Sequence, residues 1–262
     1  MIMPGDIRLV VRGDDFGMCH AVNEGIRRAF TEGIVTTTSA MAPCPWFGGA
    51  AEIAKETEIP VGAHLTLTCE WDYLRWRPLT CGASLSGADG TFLPTVELAQ
   101  QHYEHGDAVR ELLAQVERFG VAGIGLDYLD HHMGPAFPAA YAEVSELTGV
   151  RYLYADAVRS GLASISELSP RGAAGKKEWM LGYLHGLTPG AHLLVCHPGV
   201  DSPELASLTG PDSVPYRWAA EYRLSDLDVL TDPQVRELIG ELGIMLCSLP
   251  EALSGSARGA DR

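Results

Sequence analysis

The chain has 262 residues, with 19 Lys+Arg against 34 Asp+Glu and a formal charge of −15. That balance argues against nucleic acid or an anionic membrane surface as partner, since both demand a basic footprint. With 46% hydrophobic and 20% charged residues, and no apolar run near the roughly 20 residues of a membrane span, the chain reads as one globular α/β domain over residues 1–253. A small polar tail at 254–262 is expected to be disordered.

The first apolar run, residues 7–12, reads as a buried strand and leads into Gly13-Asp14-Asp15-Phe16-Gly17. Two adjacent carboxylates repel unless a cation or a proton relieves them. They suit an oxygen ligand for a metal beside a general base, or simply a helix cap with a solvated neighbour. Further strands are expected at 35–41, 61–67, 124–129, 151–155, 192–196 and 244–247. Helical spacing of Val109, Leu112, Leu113 and Val116 predicts a helix ending near Gly120. Asp232-Pro233 ahead of Val235, Leu238 and Ile239 predicts an N-cap, a first-turn proline and an apolar face. Strand–helix alternation of this kind implies a parallel sheet, either doubly wound or a (β/α) barrel with about seven strands.

Chemistry-bearing residues recur at expected strand ends. Asp14-Asp15 follow the first strand, His64 lies late in the third, Asp130-His131-His132 follow the fourth, and His197 follows the sixth. In parallel α/β folds those ends share one face, and that face carries the site. Two histidines and a carboxylate are enough for a catalytic divalent metal with an open position. Asp15, His64 and one of His131/His132 would supply them. Two nitrogens and one oxygen suit zinc, but also admit magnesium, manganese, cobalt or nickel. Each histidine alone has an ordinary packing or turn role open to it; the joint placement carries the argument. His20, His102, His105, His185 and His192 are assigned to surface or packing.

Two long loops, 68–94 and 198–225, read as walls or lids of a site. Trp71, Tyr73, Trp76 and Arg75 in the first are candidate sugar-binding residues or loop packing, and Arg217 and Trp218 in the second pose the same choice. The six cysteines lack a C-x-x-C pair and are expected to be free thiols. With no secretory signal in the sequence, a cytoplasmic location is expected. No G-x-S-x-G elbow, H-E-x-x-H or P-loop is present, and Gly123-Ile124-Gly125 lacks the third glycine of a dinucleotide fingerprint.

Asp14-Asp15-Phe16-Gly17, Gly62-Ala63-His64-Leu65, Leu129-Asp130-His131-His132-Met133-Gly134 and Cys196-His197-Pro198-Gly199 together resemble the YdjC-type carbohydrate deacetylases, which include chitooligosaccharide deacetylases. The resemblance runs in order from Arg8 to about Leu253. It implies an irregular (β/α) TIM-like barrel, one divalent metal (zinc or magnesium), a small acetylated carbohydrate as substrate and a homodimer. It places Asp15, His64 and His132 on the metal, makes Asp14 the base and His197 the acid, and leaves Asp130 and His131 behind the ligands. Many members carry Asp-Ser-His where this chain has Asp130-His131-His132, which sets His131 on the serine. The rival expectations are another metal hydrolase on the same barrel, such as a phosphoesterase or amidase, and a non-enzymatic sugar-binding protein.

Overall fold

In the computed structural model, which describes residues 5–159, 161–208 and 220–254, seven strands lie in one sheet: β1 (Ile7–Phe16), β2 (Thr37–Ala40), β3 (Val61–Leu65), β4 (Tyr128–His131), β5 (Ser164–Glu167), β6 (Gly190–Cys196) and β7 (Met245–Leu246). The helices are α1 (His20–Thr31), α2 (Phe47–Thr57), α3 (Val96–His102), α4 (His105–Val121), α5 (Pro138–Thr148), α6 (Asp156–Arg159), α7 (Lys176–His185), α8 (Pro203–Ala206), α9 (Ala220–Leu230), α10 (Pro233–Glu241) and α11 (Leu249–Ser254). The last eight residues, like Arg217 and Trp218, lie outside the described residues.

The strand order is β4-β3-β2-β1-β6-β5, with β7 beside the start of β1, and every pairing is parallel. Among the described residues β4 and β5 do not pair with each other, so the sheet is a curled half-barrel rather than a closed one. Central β1 is covered on both faces, which is why Leu9-Val10-Val11 is continuously apolar. The C-terminal parts of β1, β3, β4, β5 and β6 supply side chains to the one cavity described below.

The expected strand at 151–155 is not one. Tyr152 makes a single parallel bridge to Leu129, and the chain then turns into α6. The fifth strand is instead Ser-Ile-Ser-Glu at 164–167, an edge strand too polar to register as a buried run. The fourth strand lies further on than the 124–129 reading. Gly123 (φ 74°) stands at C′ of α4, and Ile124 N–H donates to Phe119 O at 2.9 Å, the six-to-one bond of a Schellman cap. Ile124 thus belongs to the helix end, and Gly123, not Gly120, ends the helix. Asp130 and His131 fall inside β4 rather than after it. The Asp232 cap is as expected, with its side chain accepting from Gln234 N–H.

The backbone of α1 rests directly on the turn after β6. A Cβ on Gly25 would lie 2.5 Å from Gly199 Cα and 2.7 Å from its nitrogen. Gly25→Ala therefore forces backbone apart and costs about 1–3 kcal/mol despite the better helix propensity of Ala. Because Gly199 follows His197-Pro198, we expect turnover to fall as well; thermal melts and kcat on the same sample check both.

Candidate active site

Neighbouring side chains on a strand point to opposite faces, so Asp14 and Asp15 should not share a cavity. A bulge resolves this. In the β1–β2 pairing Gly13 faces Thr38 and Phe16 faces Ala40, so three steps on β1 answer two on β2. Asp15 takes up the extra residue in the left-handed region (φ 68°), at a strain of about 1–3 kcal/mol. Both carboxylates then line one cavity of about 480 Å³ with His64, His131, His132 and His197. That size is ordinary for a small-molecule site.

Asp15 Oδ1 is buried and has no hydrogen-bond partner among the described residues. His64 Nε2 stands 3.5 Å from it and His132 Nδ1 stands 3.4 Å from it. Ligand bonds of roughly 2.0–2.2 Å at a tetrahedral centre put donor atoms about 3.4 Å apart. An orphaned oxygen facing two imidazole nitrogens at that spacing fits a single divalent ion, and Asp15, His64 and His132 form one such group.

The remote side of each of these three residues is held. His64 Nδ1 is 2.7 Å from Asp130 Oδ1, its register partner across β3–β4. His132 Nε2 is 2.9 Å from Glu70 Oε2. Arg223 NH2, from α9, donates to Asp15 Oδ2 at 2.6 Å. Burial opposes the Asp15 charge, but Arg223 and the facing His132 and His64 hold its carboxyl well below the usual carboxylate range. Burial alone would lower both histidines; Asp130 and Asp14 instead raise His64 to about 10, and Glu70 with Asp15 raises His132 to about 9. Both imidazoles thus lie among acidic partners, Asp130 and Glu70 behind them and Asp15 between them.

Asp14 is gripped by Arg12, Nε to Oδ1 at 2.6 Å and NH2 to Oδ2 at 2.8 Å. The third guanidinium nitrogen meets Asp130 Oδ2 at 2.7 Å. Burial disfavours the Arg12 charge, yet Asp130 and Asp14 keep it firmly protonated. A second acidic group, Asp14 with His64 and Asp130, is thereby already filled by this guanidinium. Ser39 Oγ donates the remaining bond to Asp130, at 3.1 Å.

His197 enters the cavity from the end of β6. Ser169 donates to Asp226 Oδ2 at 2.6 Å, so its oxygen accepts from His197 Nδ1–H at 2.8 Å. His197 N–H and Lys176 Nζ bind the same Asp226, at 2.8 and 2.5 Å. Burial pushes His197 down to about 4 against the pull of Asp15 and Asp14. His131 is set apart from its neighbour. Its Nδ1 is 2.6 Å from Tyr152 Oη, its ring stacks near Tyr141 and Tyr154, and burial lowers it to about 3.

The residues read as sugar-binding lie elsewhere. Trp71 and Trp76 are buried in the core, and Tyr73 is 69% exposed. Arg75 binds Cys69 O, Phe92 O and Thr91 Oγ1 within its own loop. None of the four lines the cavity, whose lining instead includes Met133, Tyr154, Ile165, Ser166 and Glu167. Arg12, Glu70, Ser169, Lys176, Arg223 and Asp226 were not singled out in the sequence. Arg12, two residues before Asp14 in an otherwise apolar run, was the one with a visible signal. The cysteines are free, four of them buried.

A curled parallel half-barrel whose strand ends bring Asp14, Asp15 and four histidines to one cavity suits acid–base hydrolytic chemistry. The chain matches the YdjC-like protein family over residues 8–241 and belongs to it. It is 32% identical to a carbohydrate deacetylase from Geobacillus stearothermophilus, across 92% of this chain and 96% of the relative. It is 30% identical to a chitooligosaccharide deacetylase from Yersinia enterocolitica, across 92% of this chain and 97% of that one. A solved structure from Enterococcus faecalis V583, described as a candidate cellobiose-phosphate cleavage protein, shares the fold with TM-score 0.78 at 22% identity, over 94% of this chain and 98% of its own.

Proposed function

We propose that the protein is a metal-dependent hydrolase that removes acetyl groups from a small acetylated carbohydrate, an N-acetyl amino sugar or a short oligosaccharide. The observation that carries this reading is the buried, unpartnered Asp15 Oδ1 facing His64 Nε2 and His132 Nδ1, with Asp14 and His197 on the same cavity. The names of the Geobacillus and Yersinia relatives supply the substrate class.

Asp15, His64 and His132 would hold the ion. A bound divalent cation lowers the pKa of water and polarises an acyl oxygen. Asp14 accepts the water's proton; Arg12 fixes the orientation of both its oxygens. The bond to Ser169 commits His197 Nδ1 to a structural proton, so Nε2 is the nitrogen at which the mobile proton is carried or lost. A histidine whose pKa is depressed by burial is a strong acid once protonated. It hands its proton readily to the departing amine nitrogen, which is far more basic. Tyr154, Met133 and Ile165 offer the sugar apolar surface, and Ser166 and Glu167 offer it hydroxyl partners. In this reading the sugar is met mainly at the β4 and β5 side of the cavity.

No helix among the described residues is long and apolar enough to cross a membrane. A cytoplasmic location remains the expectation from the sequence reading, and a homodimer that from the family resemblance. The test pairs metal analysis with acetate release from a panel of N- and O-acetylated mono- and disaccharides. We expect one divalent ion per chain, acetate from at least one N-acetyl sugar, loss of release on chelation and its return on adding metal. Stoichiometric metal with no acetate from any member of the panel overturns the deacetylase reading in favour of another hydrolase.

A further inference from the structure

Residues 69–76 belong to a long loop after β3, yet they reach two of the three residues facing the metal position. Glu70 does so directly through His132 Nε2 at 2.9 Å, with its carboxylate almost fully buried. Trp71 does so through Arg223: the guanidinium lies 5.6 Å from the indole centroid and donates to Asp15 Oδ2. Trp76 adds an edge contact, its ring 6.1 Å from that of His132. A loop whose only task were to cover the sheet would need none of these polar contacts.

The same segment is stapled into one piece. Arg75 binds the carbonyls of Cys69, Trp71 and Phe92 and the hydroxyl of Thr91. Trp76 Nε1 donates to Thr68 O at 2.9 Å, and Cys69 N–H donates to Leu93 O at 2.9 Å. Whatever fixes Glu70 therefore fixes the segment, and whatever loosens the staple loosens Glu70. When His132 uses Nδ1 toward an ion, its ring proton sits on Nε2 and needs an acceptor. Glu70 is that acceptor, and it fixes the ring's tautomer and orientation.

We propose that Glu70 is a positioning residue that couples metal binding at Asp15, His64 and His132 to the ordering of residues 69–76, so that the ion and this wall of the cavity stabilise each other. The inference rests on the metal reading of those three residues and goes beyond it. Coupling between two equilibria is reciprocal: if the ion orders the loop, the ordered loop tightens the ion to the same degree.

The test uses the full-length, metal-stripped protein titrated with Zn²⁺ or Mn²⁺, with affinity from calorimetry and amide exchange followed over residues 69–77. In the wild type we expect metal to slow exchange in that segment. Glu70→Ala weakens metal about 10–100-fold, the usual cost of losing an outer partner of a ligating histidine, and abolishes the slowing. Glu70→Gln, which keeps an acceptor oxygen, falls between the two. Arg75→Met touches none of the three metal-facing residues, yet it also weakens metal, by at least threefold. Should Glu70→Ala fail to fold, Glu70→Gln and Arg75→Met decide the matter. Metal affinity within twofold of wild type in Glu70→Ala or in Arg75→Met, or exchange in 69–77 unchanged by metal, overturns the coupling alone. A wild type that binds no divalent ion overturns the coupling and the metal reading together.

Discussion

Asp14→Asn lowers kcat by about 10²–10⁴-fold, the range spanned by a positioned general base, and leaves metal affinity close to wild type. The two aspartates are separable because the bulge gives them different partners. Asp15 presents an oxygen with no hydrogen bond to the two imidazoles, whereas both oxygens of Asp14 meet the Arg12 guanidinium. Asparagine is isosteric, so its carbonyl oxygen keeps one bond from Arg12, but it cannot take a proton. The variant also gives up a buried charge-assisted bond, worth roughly 1.5–3 kcal/mol. Arg12 retains its ion pair with Asp130, which limits the damage. Kinetics are therefore measured well below the variant's melting temperature, beside calorimetric metal titration. Lost metal with the fold intact would reassign Asp14 as a ligand; turnover within threefold of wild type would remove it from the proton-transfer step.

Most of the site's inner layer was legible because adjacent carboxylates and histidines at the ends of apolar runs are rare and the topology of parallel sheets makes them converge. What holds that layer was not. Asp226 lies in the middle of α9 and Ser169 in a turn, and only the folded chain aligns them behind His197. Glu70 reads as one more surface acid until the loop folds back on His132. The aromatic residues misled for a related reason. A tryptophan near a predicted site suggests a sugar platform, but Trp71 and Trp76 gain more by burial, with Leu85 and Phe92, in the main hydrophobic core that the 27-residue loop folds back onto. The missed fifth strand shows the limit of apolar runs as a strand signal: an edge strand of the half-barrel has one side to pair and little to bury.

His132→Ala and His131→Ala, one residue apart, should fail in opposite ways. His132 Nδ1 faces Asp15 Oδ1 at 3.4 Å, and the positive φ of Met133 and Gly134 turns the chain away directly after it. Its removal takes one of three donors and costs metal affinity by more than the 10–100-fold seen for outer partners; activity falls with it. In the metal-free protein the change also removes an attractive partner of the Asp15 carboxylate and leaves Glu70 without its imidazole, so some loss of stability accompanies the loss of metal. His131 instead fills a nest of Tyr141, Tyr152 and Tyr154 and is held neutral there by burial. Truncating a buried ring of this size leaves a cavity and an unpaired Tyr152 hydroxyl, at roughly 2–4 kcal/mol. Metal affinity should stay within about threefold, because His131 Nδ1 is committed to Tyr152. The two variants are compared by thermal melts and metal titration side by side. Loss of metal in His131→Ala with retention in His132→Ala would exchange their roles and move the ion away from Asp15 Oδ1, toward Asp14 and Asp130, which Arg12 already pairs.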